Sequence, residues 1–209
     1  MFYTDTPDNA LRFGDIVQRY IISAPNIRQP SYETDFNIVV EKPKFCAVMS
    51  PCCSIGEKAI ALSPLLPLQK NFWGNPYFKE DLTRINRRML AEQSVTPEQW
   101  DKYSPEERQR RTEEGLQYAL VELFIYENNE LLPQYNLIRR GEEISTRQYM
   151  IDFRKIYRVN CDLIISAARS PLETKILQLS VEARKELREK IAYYFERIPA
   201  EDAPYLEEG

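Results

Sequence analysis

Cys46, Cys52, Cys53 and Cys161 are the chain's four thiols, and Cys52-Cys53 is a vicinal pair. Such a pair could form a redox switch, and four thiolates brought together could hold zinc. The spacing argues against both uses. There is no Cys-x-x-Cys knuckle, and Cys46 lies inside the apolar run Phe45-Cys46-Ala47-Val48-Met49. Cysteines so placed pack as small hydrophobes, so no metal or other cofactor is expected. The chain has no histidine. That removes the commonest general base, the commonest metal ligand and the usual partner of a Ser or Cys nucleophile. Any catalysis would fall to carboxylates, Arg, Lys, Tyr, hydroxyls or thiols, and no motif supplies a complete set.

A second group could recognise rather than react. Arg84, Arg87 and Arg88 share one face of a predicted helix, and Arg108, Arg110 and Arg111 follow. Guanidinium groups bind phosphates through paired donors, and Phe72, Trp73 and Tyr77 could stack on the bases of single-stranded RNA. The same aromatics could anchor a protein partner. A plainer reading pairs the arginines with Glu80, Asp81, Glu106 and Glu107 as a solvated face, and this is the favoured one. The aromatic run Asn71–Phe78 equally suits covering a core, since it is costly to leave in water.

Short apolar runs bounded by Gly, Pro, Ser or Asn must position these groups. Phe13-Gly14-Asp15-Ile16-Val17 opens a strand that continues to Ile22, and Ser23–Glu33 reads as a loop. Phe36–Val40 is a short strand. Phe45–Met49 is apolar throughout, which predicts a central strand covered on both faces. Ala59–Leu65 is the next strand. Helices are predicted over Glu80–Leu90, from Thr96-Pro97 and from Ser104-Pro105 to Glu113, the last two by N-cap and proline signals. Strands return at Leu116–Glu127 and, after an Asn128-Asn129 turn, at Leu131–Ile138, where Pro133 demands an edge. Arg139–Thr146 reads as exposed and polar. Tyr149–Ile165 is the last β-like stretch, turning at Asn160. Ser170-Pro171 and then Ser180 start the C-terminal helices, the second with an apolar stripe of Ala183, Leu187, Ile191, Tyr194, Phe195 and Ile198.

At 209 residues, 43% apolar and 29% charged, the chain is long enough for a sizeable core in one domain. Its net charge of −4 argues against a chain-wide nucleic-acid tether. The first nine residues do not look like a signal peptide, and no apolar run nears the roughly 18 residues that span a bilayer. The expectation is a cytosolic protein with reduced thiols, away from membranes.

The order of these pieces resembles the PemK/MazF-like family of small SH3-like barrels. One block is Gly14-Asp15-Ile16-Val17, then Lys42-Pro43-Lys44 leading into Phe45–Ser50, then Ala59–Pro64. The other is Met150–Ile164 followed by Leu177-Gln178-Leu179-Ser180-Val181-Glu182. Together they cover under half of the chain. The resemblance implies an α+β protein: a barrel from 11–68 and 116–166, interrupted by a helical insertion at 69–115, with helices within 171–198 and an acidic tail at 200–209. It also implies toxin-type endoribonuclease ancestry and pairing into a homodimer. The chain departs from the family at two places: the family's Arg-Pro is Lys42-Pro43, and its Thr-containing segment is Ser63-Pro64-Leu65. If ribonuclease chemistry survived, Asp15, Arg19, Arg28, Lys42 and Ser50 would be its residues. With the family hydroxyl missing, the expected function is a non-catalytic binding or regulatory module for a protein partner, in a toxin–antitoxin-like or defence-like setting. Endoribonuclease action on single-stranded RNA is the first alternative, and a thiolate metal protein the second.

Overall fold

A computed structural model describes residues 1–27, 36–51, 55, 59–68, 86, 102–114, 122–139, 141–160 and 174–196. The fold is mixed α+β, and every strand pair is antiparallel. A five-stranded sheet runs in the order β11 (Tyr157–Asn160), β5 (Ala59–Pro64), β4 (Phe45–Val48), β1 (Ile16–Gln18), β12 (Lys175–Leu177). A three-stranded sheet runs β6 (Leu66–Pro67), β10 (Tyr149–Asp152), β7 (Leu123–Tyr126). Two hairpins stand apart, β2 (Ile22–Ile27) with β3 (Phe36–Glu41) and β8 (Tyr135–Arg139) with β9 (Glu142–Thr146). The helices are α1 (Pro105–Glu113) and α2 (Val181–Glu196). Among the described residues these strands do not close into one barrel.

The central strand is where the sequence placed it. All four β4 residues are buried, and β1 and β5 flank them. Alternation divides the strand between two clusters. Phe45 and Ala47 join Ile16, Phe124 and Tyr126, while Cys46 and Val48 join Val17, Ile60 and Leu62. The two sheets share their chains at one corner. β5 passes through Leu65 into β6, and β10 passes through Phe153–Ile156 into β11. Asp152 builds that second bend: its Oδ1 accepts from the Arg154 backbone N–H at 3.0 Å, and its carbonyl accepts from Lys155 N–H at 2.8 Å. A turn therefore falls before β11, within the stretch expected to run on to Val159; β11 ends at Asn160, and Cys161–Ile165 lie outside the described residues.

The N-terminal residues help close the core. Phe2 and Thr4 exchange backbone hydrogen bonds with Ser180 and Gln178, and the Tyr3 hydroxyl donates to the Glu127 carbonyl at 2.7 Å. The Phe2 ring lies 6.1 Å from Phe124 and 5.9 Å from Tyr126. Residues 2–4 thus span from the end of β12 to the end of β7. Two aromatics anchor this segment, because they land on an aromatic cluster of the core, while residues 5–10 stay exposed.

Three further expectations are corrected. The strand from Ile16 to Ile22 breaks at Arg19, which has a left-handed φ of 69°; the chain then re-forms as β2, so Ser23–Ile27 is strand and not loop. Asn128–Gln134 is a loop, held by Arg147, whose guanidinium donates to the carbonyls of Glu130 and Leu132 at 2.6 and 2.7 Å. Glu142–Thr146 is the strand β9 rather than irregular surface, reached through Gly141 at φ 84°. The helix expected at Glu80–Leu90, apart from Asn86, and the start at Thr96 lie outside the described residues. The helix from Ser104 is present as α1, with Glu107 N–H on the Ser104 hydroxyl at 3.2 Å. Ser180 likewise caps α2, accepting from Ala183 N–H at 3.1 Å.

Asn86 protects a sheet edge. β7 is the outer strand of its sheet, so one side of it has no strand neighbour among the described residues. The buried Asn86 amide supplies what a strand would: it donates to the Ile125 carbonyl at 2.7 Å and accepts from the Ile125 N–H at 2.6 Å. Asn86→Leu keeps the volume but leaves two buried backbone groups unpaired. It should cost about 2–4 kcal/mol in urea unfolding, whereas an unchanged midpoint would show the edge to be satisfied in another way.

Candidate functional site

Asp15 is the candidate that the fold surrounds most completely. It sits at the entry to β1, where Gly14 turns the chain at φ 85°. A Cβ at Gly14 would stand 2.5 Å from Leu179 Cδ1 and 3.0 Å from Leu187 Cδ2, so β1 can start only this close beneath the α2 region with glycine there. Asp15 is fully buried. Its Oδ2 accepts from the Arg12 backbone N–H at 2.8 Å and pairs with Lys175 Nζ at 2.9 Å. Lys175, on the neighbouring β12, also donates to the carbonyls of Ala10 and Asp8 at 2.8 and 3.1 Å and to Gln178 Oε1 at 2.5 Å. Asp8 in turn pairs with Arg12 at 2.9 Å. Residues 8–12 are thereby strapped across the β1–β12 edge.

This centre ties the N-terminal segment to the sheet. Burial pushes the Asp15 carboxyl up, and Lys175 and the Arg12 N–H pull it part of the way back. Asp15 Oδ1 is buried with no hydrogen-bond partner, but Asp15 has no path to a substrate because none of its surface is exposed.

Among the described residues, no side-chain contact links the other candidates to Asp15. Ser50 follows β4 and is buried; its hydroxyl accepts from Ala61 N–H at 2.7 Å while Met49 N–H donates to the Ala61 carbonyl at 2.8 Å. It extends the β4–β5 ladder by a side chain. Arg19 is exposed at the break after β1, and Lys42 is exposed between β3 and β4. Arg28, Trp73, Tyr77, Arg84, Arg87 and Arg88 lie outside the described residues, as do Cys52, Cys53 and Cys161. Cys46 is a buried free thiol, and burial pushes it up to about 12, away from thiolate chemistry. Among the described residues no cluster of three or more Cys, Asp or Glu could hold a metal ion.

A different feature faces outward. In β3 every residue from Asn37 to Glu41 is exposed, on both faces of the hairpin. Ile38 and Val40 are 63% and 58% exposed on one face, and Val39 is 41% exposed on the other. Ile21, at the base of β2, adds 52%. Three adjacent β-branched residues on a strand edge that has no strand neighbour among the described residues form a template for another strand. Arg19, Lys42 and Lys44, all exposed, flank it with positive charge.

Sequence reasoning missed Lys175, Gln178 and Asp8. The alternation Lys175-Ile176-Leu177-Gln178-Leu179 carries a short strand signal, but the likeness to a helix-opening Leu-Ser segment drew attention from it. It also missed Asp152, whose carboxylate meets the Arg154 guanidinium twice at 2.8 Å and is held below the usual carboxylate range by that pairing despite burial. Comparison with protein-family models, with characterised proteins and with solved structures finds no match to this chain. Among the described residues no helix is long and apolar enough to cross a membrane.

Lys175→Met would leave a buried carboxylate without its cation. It should destabilise by about 3–5 kcal/mol in urea unfolding, and Asp15→Asn in the same chain should recover part of that loss. A Lys175→Met chain of unchanged stability would show that the strap holds without its ion pair.

Proposed function

We propose that this protein is a non-catalytic binding or regulatory module, built on a PemK/MazF-like, SH3-like barrel, that takes a protein partner on the β2–β3 hairpin. The observation that carries this reading is the division of labour among its residues. Asp15 and Ser50 are buried and hydrogen-bonded into the fold, whereas Arg19 and Lys42 are exposed. β3, in contrast, presents Ile38, Val39 and Val40 to solvent on a strand edge. Main-chain hydrogen bonds along such an edge give affinity, and the alternate side chains give selectivity. The barrel identity rests on the order of the motifs and on the corner shared by β5–β6 and β10–β11. A toxin–antitoxin-like or defence-like setting extends that resemblance, and a second copy of the chain is one partner the edge could take.

Incubation with a mixed-sequence single-stranded RNA pool, followed by sequencing of new ends, separates this reading from the endoribonuclease alternative. Intact RNA is expected. Site-specific cleavage that disappears in Arg19→Ala and Ser50→Ala chains would overturn the proposal. Binding is tested by a photo-crosslinker at position 39, with Ile38→Glu and Val40→Glu as controls. Partner or self-crosslinks should fall at least about tenfold in the controls, the size expected when an interface anchor is lost. Crosslinks indifferent to both charges would remove β3 from the interface.

A further inference from the structure

The β2–β3 hairpin joins the main sheet through a basic neck. β1 leaves its ladder with Gln18 opposite Phe45, and β2 enters the hairpin with Ile22 opposite Glu41. The connections Arg19–Ile21 and Lys42–Lys44 are therefore equal in length and run side by side. Arg19, Lys42 and Lys44 are all exposed. Among the described residues no carboxylate lies within ion-pair distance of any of them. Lys44 keeps its amine 5.6 Å from the centroid of the Phe45 ring, which holds one of the charges in place. Glu41 is the nearest carboxylate along the chain, but strand alternation sets it on the opposite face of β3 from Ile38 and Val40. There its charge is felt by Tyr157 of β11.

Apolar surface adjoins this neck. Ile21, within it, is 52% exposed, and Ile38 and Val40 are 63% and 58% exposed. Lys42 stands only about 7 Å along the chain from Val40. A positive rim beside an apolar strand is thus set into a chain whose net charge is −4.

We propose that the segment taken by this hairpin is acidic: an extended stretch of a protein partner whose apolar side chains cover Ile21, Ile38 and Val40 and whose Asp or Glu side chains reach Arg19, Lys42 and Lys44. This rests on the hairpin being a protein-binding surface and adds the chemistry of what it takes. Carboxylates match both the Arg19 fork and the two lysine point charges. Each exposed pair contributes little, but together they set the direction of the incoming segment and speed its arrival. A single-stranded nucleic acid would satisfy the cations alone, since Ile and Val offer its bases no ring to stack on. The partner's carboxylates should lie roughly two to six residues from its apolar anchors, the spacing from Val40 to Lys42 and from Ile38 to Lys44.

Phage selection from a library of random peptides, with the full chain as bait, tests this. Peptides that fail to bind a chain carrying Ile38→Ser and Val40→Ser define the hairpin binders, and these should be enriched in Asp and Glu at one end. Raising salt from about 0.05 M to about 0.5 M should weaken them several-fold. A chain carrying Arg19→Asn and Lys42→Gln should bind them about three- to thirtyfold more weakly. Asn suits position 19 because Arg19 has a left-handed φ of 69°. Reselection on a Lys42→Glu chain should exchange acidic residues for Lys or Arg. Hairpin binders with no acidic bias, or indifferent to salt and to the double variant, would overturn the acidic partner and leave the protein-binding hairpin standing. A selection that yields no hairpin binder would remove both. A mixed-sequence RNA that displaces the peptides at lower concentration, or a dimer in sedimentation that the serine substitutions abolish, would overturn the proposal in favour of nucleic acid or a second copy of the chain.

Discussion

The buried pair of Asp15 and Lys175 is the constraint on which the arrangement of this chain depends. It joins residues far apart in sequence across the β1–β12 ladder, at 2.9 Å and almost without water. Two charges removed from water gain net stability only if their remaining hydrogen-bonding capacity is met. Lys175 meets its share with backbone carbonyls from residues 8 and 10 and with Gln178. Recruiting those carbonyls pins the N-terminal segment, which in turn lets Phe2 and Tyr3 cover the space between β12 and β7. An aliphatic pair could fill the volume, but it would have no reason to draw polar backbone toward it.

The same pair occupies the carboxylate that the sequence offers as a catalytic candidate. A general base needs a reachable lone pair and a proton acceptor strength matched to its task. Asp15 is enclosed by its own strand, by Arg12 and by Lys175, so its charge is spent on assembly. Ser50 is spent in a similar way, on the backbone of Ala61. A chain without histidine has few other groups to replace them.

Much of the framework was legible in the sequence because it obeyed one rule at a time. Phe45–Val48 is apolar at each position and became the strand covered on both faces. Ser104-Pro105 and Ser180 marked helix starts that the backbone adopts. The failures are places where two rules compete. Glu142–Thr146 carries charges that mark it as exposed, yet it pairs with β8 in a hairpin whose inward positions, Leu137 and Thr146, are buried. Ile16–Ile22 is a continuous strand by propensity, but Arg19 takes a left-handed turn that sends β2 out of the main sheet. Lys175 stands in no motif that the sequence offers. Its burial depends on a partner distant in sequence, Asp15, and spacing along the chain does not encode that. Of the site residues, position alone pointed to Asp15 and Ser50; their roles required the neighbours.

What remains exposed is then informative. A protein that has enclosed its carboxylate and hydroxyl candidates, and has tied an edge of β7 to the Asn86 amide, manages its polar groups closely. Edge strands are ordinarily blunted by charge, proline or cover. β2 has Pro25, which removes a donor from its side of the hairpin. β3 has none of these over Ile38-Val39-Val40; its charges begin at Glu41 and Lys42. Leaving those three residues in water costs solubility and gains nothing for the core, since neither face of the hairpin strand is covered. Among the described residues, then, β7 has a side chain across its edge, in the Asn86 amide, while the edge of β3 has no strand beside it.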